Sequence, residues 1–284
     1  ALIKSYSADF NFSYAIMASY AAAAAFLIKV FRKKAYILSL QSGTLDMPEY
    51  KKIINFFYPF YKLIHTKSSF AHVISNALKE RAEKLGVPSG KLFHIPSGID
   101  LNNFKILGIK RNYWQIIAVA NFKKVKGLEY LLQAMPIIIK KFPDVRLALI
   151  GDGEERANLK NLVDILRLKN NVQFLGKINH EKLPHILNSS SIFIGPSLAE
   201  GLGIAFLEAM ACGTVVVGTK VGGICDIIDN NYNGLLIEPS NYKNIANSVL
   251  YLLENKAVLE SLRSNALKFV RKYNWDDISV SIKL

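Results

Sequence analysis

An alternation running from residue 115 to residue 237 constrains this chain more than anything else in it. Short apolar runs rich in Val, Ile and Leu, at 115–120, 145–150, 172–175, 192–195, 215–218 and 234–237, read as strands. A turn and a helical stretch follow most of them: helices over 127–141, 154–168 and around 180–188, one ending near Cys212, and a short one after Gly222-Gly223. Repeated strand–helix units build a parallel sheet covered by helices on both faces. Sheets of this kind bind ligands at the carboxyl ends of their strands, where the loops gather.

Upstream, the sequence predicts a helix over 14–31, a buried strand over 35–40 with a turn at Ser42-Gly43, an aromatic helix over 49–63, a strand over 72–75, a helix over 76–85 and a strand over 92–95. Two helices are expected to close the chain. The polar stretch 101–112 marks a boundary, giving expected domains 1–105 and 106–284, and 284 residues suffice for two domains. No strand is predicted before the first helix, and no Gly-rich strand–turn–helix opens the chain. The front of a first domain is therefore expected to be missing.

The net charge of +14 is uneven, about +9 over residues 1–110 and +5 over the rest. A basic half predicts an anionic partner, a membrane surface or a phosphorylated substrate, with Lys29, Arg32, Lys33 and Lys34 the densest cluster. No recognition helix, zinc finger or interleaved basic and aromatic pattern is present, which argues against nucleic acid. The most apolar run, 14–28, is shorter than the ~20 residues a spanning helix needs. Two cysteines, Cys212 and Cys225, cannot form a disulfide framework and are expected to be small reduced core residues, as in a cytosolic protein. The expected location is cytoplasmic, peripheral at the inner face of the membrane.

The chemistry concentrates in PSLAEGLGIAFLEAMACG, residues 196–213. From Leu202 to Val217 the one charged side chain is Glu208, on a helix apolar on every face. A buried carboxylate without partners costs several kcal/mol, so Glu208 needs donors or a cation. Ribose hydroxyls are suitable donors; a Lys or a backbone amide is the structural alternative. Glu200 lies just before the helix, where Gly201 and Gly203 let the backbone approach a ligand and the free amides of a helix start suit phosphate or sugar oxygens. Lys126 precedes Gly127 at a strand-to-helix turn, a seat for phosphate. Gly151-Asp152-Gly153 and Gly222-Gly223 each follow a strand, where a plain turn would also use them. The five histidines, His180 and His185 among them, show no metal spacing, so no metal site is expected.

Seven segments in order then carry a resemblance: IPSGIDLNNF (95–104), AVANFKKVKG (118–127), IGDGEE (150–155), VQFLGKI (172–178), PSLAEGLGIAFLEAMACGTVVV (196–217), VGGICDII (221–228) and NGLLIEP (233–239). They resemble the family-4 retaining glycosyltransferases of the GT-B fold, whose most specific mark is a glutamate pair with seven residues between. The resemblance implies two Rossmann-like doubly wound domains, the first incomplete here, with MASYAAAAAF similar to a helix of the family's first domain. By its pattern Glu208 holds the ribose, Glu200 faces the donor sugar, and Lys126 holds the diphosphate. The amides of Leu202, Gly203 and Ile204 meet sugar or phosphate oxygens, Ile178 lines the base pocket, and Gly151 belongs to a ligand-side turn.

Two positions depart from that pattern. The family's Arg, five residues before the Lys, is here Asn121, with Lys123 or Lys124 as substitutes. Its first-domain His corresponds to Gln41, which can position a substrate but cannot exchange protons. The implied activity is retaining transfer of a hexose from a nucleoside diphosphate sugar to a glycan or lipid-linked acceptor, without a tightly bound cofactor. Asn121, Gln41 and the missing opening loop keep a non-catalytic nucleotide-sugar-binding relative as the alternative. An isomerase or phosphorylase on the same fold is a third reading.

Overall fold

The computed structural model of the chain describes residues 9–17, 20–42 and 56–281. Their contacts form two units, one of Ala1–Pro96 with Glu200–Leu202 and one of Ser97–Ala199 with Gly203–Leu284.

The first unit carries four parallel strands in the order β1 (Phe12–Ile16), β2 (Ala35–Leu40), β3 (Phe70–Val73) and β4 (Leu92–His94). The strand β1 corrects the expected helix over 14–31. FSYAI is aromatic and β-branched and pairs with β2 from Phe12↔Ala35 to Ile16↔Ser39. Met17 then breaks the run at φ 70, and the alanine-rich α1 (Tyr20–Arg32) follows, burying Ala22, Ala25 and Ile28 along one face. Of the helix expected over 49–63, residues 49–55 lie outside the described residues, as does Gly43; the described part holds α2 (Tyr58–Thr66). The third strand starts at Phe70, two residues earlier than expected, because the Phe70–Val73 segment registers against Ile37–Leu40. Next comes α3 (Asn76–Lys84), which Ser75 caps by accepting from Leu78 N at 3.3 Å. Lys29, counted in the basic cluster, donates to Lys67 O at the end of α2 at 2.6 Å.

The second unit carries six parallel strands: β5 (Asn112–Val119), β6 (Arg146–Ile150), β7 (Val172–Gly176), β8 (Ser190–Gly195), β9 (Val215–Thr219) and β10 (Leu235–Ile237), in spatial order β10-β9-β8-β5-β6-β7. Counted from β5, that is the order 3-2-1-4-5-6 of a doubly wound nucleotide-binding sheet. Burial on both faces explains the unbroken apolar runs: Ile116, Ile117 and Ala118 are successive and all buried. The connecting helices are α4 (Leu128–Lys141), α5 (Arg156–Ile165), α6 (Leu183–Ser189), α7 (Ile204–Ala211) and the short α8 (Ile224–Ile227). The chain closes with α9 (Tyr242–Glu254), α10 (Lys256–Phe269) and a third helix that was not expected, α11 (Trp275–Ser281). Ile99 bonds on both sides to the start of α11, with Ile99 N donating to Tyr273 O and Trp275 N to Ile99 O. The half-buried Arg111 locks α6 and α7 together by donating to the carbonyls of Leu187, Ser190 and Cys212. Cys212 is buried as expected, whereas Cys225, on a four-residue surface helix, is exposed.

Candidate functional site

Strand order reverses between β5 and β8, and the carboxyl ends of these two strands are the switch point at which sheets of this kind bind ligands. The loop after β5 runs from Ala120 through a 3-10 turn, Lys124–Lys126. The loop after β8 begins at Pro196. They are joined by Leu198 N, which donates to Val125 O at 2.7 Å. Gly127 makes the close approach possible: it sits at φ 59, and a Cβ there would be driven into the Pro196 carbonyl oxygen. Lys126, half-buried, is thereby held at the switch point, while Asn121, Lys123 and Lys124 are exposed around it. On the other side, Phe122 N donates to Asp152 O and Glu155 N to Phe122 O, pinning the β5 loop to the β6 loop. Gly151 belongs to that packing. Its φ is 128, its amide donates to Gly176 O, and a Cβ would collide with Ala120 O. It shapes the loops, and its amide is already committed.

Glu208 occupies the middle of α7, whose N-cap is Gly203 at φ 93. The first amides of a helix lack intrahelical partners, and Ile204 stands at that end, 41% exposed. Glu208 itself is 7% exposed, among Phe206, Leu207, Ala209, Met210 and Ala211. Its partner is a side chain that sequence reasoning did not connect with it: His180 Nε2–H donates to Glu208 Oε1 at 2.8 Å. Burial pushes the Glu208 carboxyl above its ordinary range, and His180 pulls it partly back. Burial also drives the Cys212 thiol, one helical turn on, up to about 12, so it stays protonated and unreactive. His180 opens the turn after β7 and packs on the buried Phe104, ring centroids 4.9 Å apart; Ile178, half-buried, lies two residues before it.

In the first unit, Gln41 follows β2. Its Nε2 donates to Ser39 Oγ at 3.1 Å, and Ser39 Oγ lies 3.0 Å from His72 Nδ1. His72 Nε2–H donates to Ile95 O at 2.8 Å, which leaves Nδ1 as acceptor for the Ser39 and Tyr14 hydroxyls. Gln41 is thus oriented by a chain of hydrogen bonds anchored on backbone. Gly201, grouped by its contacts with this unit, lies so close to Gln41 that a Cβ would meet the Gln41 carbonyl oxygen. The predicted residues thus divide between the units, with Lys126 and Glu208 in the second, and Gln41 and Gly201 in the first. Among the described residues, no three His, Cys, Asp or Glu side chains gather as cation ligands.

Comparison with known proteins bears on family and fold. The family of glycosyl transferases group 1 matches residues 100–269. An uncharacterized glycosyltransferase of Methanocaldococcus jannaschii is 34% identical over 221 residues, covering 72% of this chain and 56% of the relative. The chain thus spans little more than half the length of that relative. Among solved structures, sucrose-phosphate synthase of Thermosynechococcus elongatus superposes with a TM-score of 0.88 at 22% identity, over 99% of this chain and 74% of that one. HepE of Anabaena, in complex with UDP and glucose, superposes at 0.86 with 21% identity, over 99% and 78%. These likenesses show the fold, the GT-B type expected from the motifs. The match over 100–269 and the 34% identical relative place the chain in the family of glycosyl transferases group 1.

Proposed function

We propose that this chain serves a glycosyltransferase that moves a hexose from a nucleoside diphosphate sugar to a glycan or lipid-linked acceptor, with retention at the anomeric carbon. The observation that carries this reading is the β5/β8 switch point, with Lys126 on the turn after β5 and Glu208 buried on the helix that follows β8. Glu208 holds ribose hydroxyls. Lys126 and the amides of Leu202, Gly203 and Ile204 take the diphosphate, whose charge grows as the glycosidic bond breaks. Asn121 and Ile178 border the nucleotide, Gly151 supports the loop beneath it, and Glu200 and Gln41 orient the sugar. Retention follows from same-face attack assisted by the leaving phosphate, without a protein nucleophile and without a tightly bound cofactor. The solved HepE complex, which holds UDP and glucose, supports a nucleotide sugar as donor.

An anionic membrane surface fits the first unit, where Tyr20, Phe31 and Phe56 are exposed beside an excess of positive charge. No described helix is long and apolar enough to cross a membrane. A cytoplasmic, peripheral location at the inner membrane face fits that surface.

Calorimetry with UDP, GDP and ADP, followed by their sugars, tests the reading. Lys126→Ala should lower affinity for the matching nucleoside diphosphate roughly tenfold to hundredfold while leaving the nucleoside itself unaffected, since one charged hydrogen bond is worth about 1.5–3 kcal/mol. Absence of binding by the wild type to all three nucleotides, or an unchanged affinity in both Lys126→Ala and Glu208→Ala, would refute it.

A further inference from the structure

His180 lies in none of the roles above, yet it makes the hydrogen bond that Glu208 needs. We propose that His180 is the positioning residue for ribose recognition. Its Nε2–H holds Oε1 of Glu208 and turns Oε2 to the ribose hydroxyls, so that His180 sets the preference for ribonucleotides over deoxyribonucleotides. The proposal rests on the reading of Glu208 as the ribose ligand.

The geometry favours this role over a packing role. The Glu208 side chain is 9% exposed and that of His180 63%, so the imidazole is not there to fill the core. What it supplies is a fixed donor. Asn179 accepts from Glu181 N at 3.1 Å, and Lys182 N donates to Asn179 O, which pins the turn. Phe104, 1% exposed, braces the ring from below. The donor is therefore rigid on two sides. A carboxylate accepts through both oxygens. One oxygen of Glu208 is taken at 2.8 Å, and no hydrogen bond to the other forms among the described residues. A carboxylate on a helix of apolar side chains has no other donor to choose its rotamer; His180 chooses it before the ligand arrives, as outer partners orient the ligands of a metal.

The test is calorimetry on the 284-residue chain with UDP, GDP and ADP and with their 2′-deoxy counterparts, for wild type, His180→Ala and His180→Gln. The wild type should bind one ribonucleotide at least about tenfold tighter than its deoxy form. His180→Ala should weaken the ribonucleotide by roughly tenfold and leave the deoxy form unchanged, so that the ratio collapses toward one. His180→Gln, whose amide can still donate to Oε1, should restore the ratio. A ratio kept in His180→Ala, or equal losses for both nucleotides, overturns the role of His180 while leaving the site intact. A wild type that binds none of the three, or binds without discriminating the ribose, overturns the reading of Glu208 itself.

Discussion

Replacing Glu208 by Gln separates a binding carboxylate from a structural one. The side chain is 7% exposed, and a neutral amide of the same shape fits the space. If the carboxylate serves a ligand, it burdens the empty protein. Burial raises the Glu208 carboxyl above its ordinary 4.5, so the folded protein holds that proton more tightly than the unfolded chain does. The contribution of this carboxyl to stability is therefore fully present below about pH 4.5 and is lost as the pH rises through the folded value. Gln titrates nowhere and escapes the decline, while its Oε1 can still accept from His180. Thermal unfolding should find Glu208→Gln as stable as wild type or more so at pH 7.5, with the gap closing toward pH 4. Binding should move the other way. Charged acceptors exceed neutral ones by about 1–1.5 kcal/mol per bond, so one or two ribose hydroxyls give roughly a tenfold to hundredfold loss in nucleotide affinity by calorimetry. A variant that melts well below wild type at pH 7.5 and binds nucleotide as tightly would show that Glu208 serves the fold through His180.

Two further outcomes follow, one from each unit. Gly127→Ala should destabilise the second unit by roughly 1–3 kcal/mol and weaken nucleotide binding, because the β5 and β8 loops must separate to admit the methyl; unchanged denaturant midpoint and affinity would refute that close approach. His65 is fully buried on α2 with Nδ1–H donating to Tyr61 O, and burial depresses its pKa from 6.5 to about 4. Stability is then present above pH 6.5 and lost as the pH falls toward 4; His65→Phe should flatten that part of the stability–pH curve, and an unaltered slope would count against a neutral buried imidazole.

How much of this was legible beforehand depended on whether the signal was local. The strands of the second unit announce themselves because each is buried on both faces and reads as an apolar run, and Gly127 and Gly203 punctuate the loops that such strands need. The run 14–28 defeated the same reasoning, since an apolar stretch does not say whether it is strand or helix. The switch lies at Met17, where the backbone turns to positive φ at a residue with no special liking for it. Cys225 was misplaced for a related reason: apolar neighbours in sequence, Ile224 and Ile227, are buried while the short helix α8 turns the cysteine outward. Glu208 is the instructive case. A lone charge in an apolar helix states a free-energy demand that sequence can express, because desolvation depends on the immediate surroundings. The supplier of the hydrogen bond, His180, is 28 residues away, beyond any helical or strand period. It reaches Glu208 because the turn after β7 and the helix after β8 both lie at the carboxyl end of one parallel sheet. Sequence alone can therefore state that Glu208 needs a donor, and which side chain donates is decided by the crossovers of the sheet.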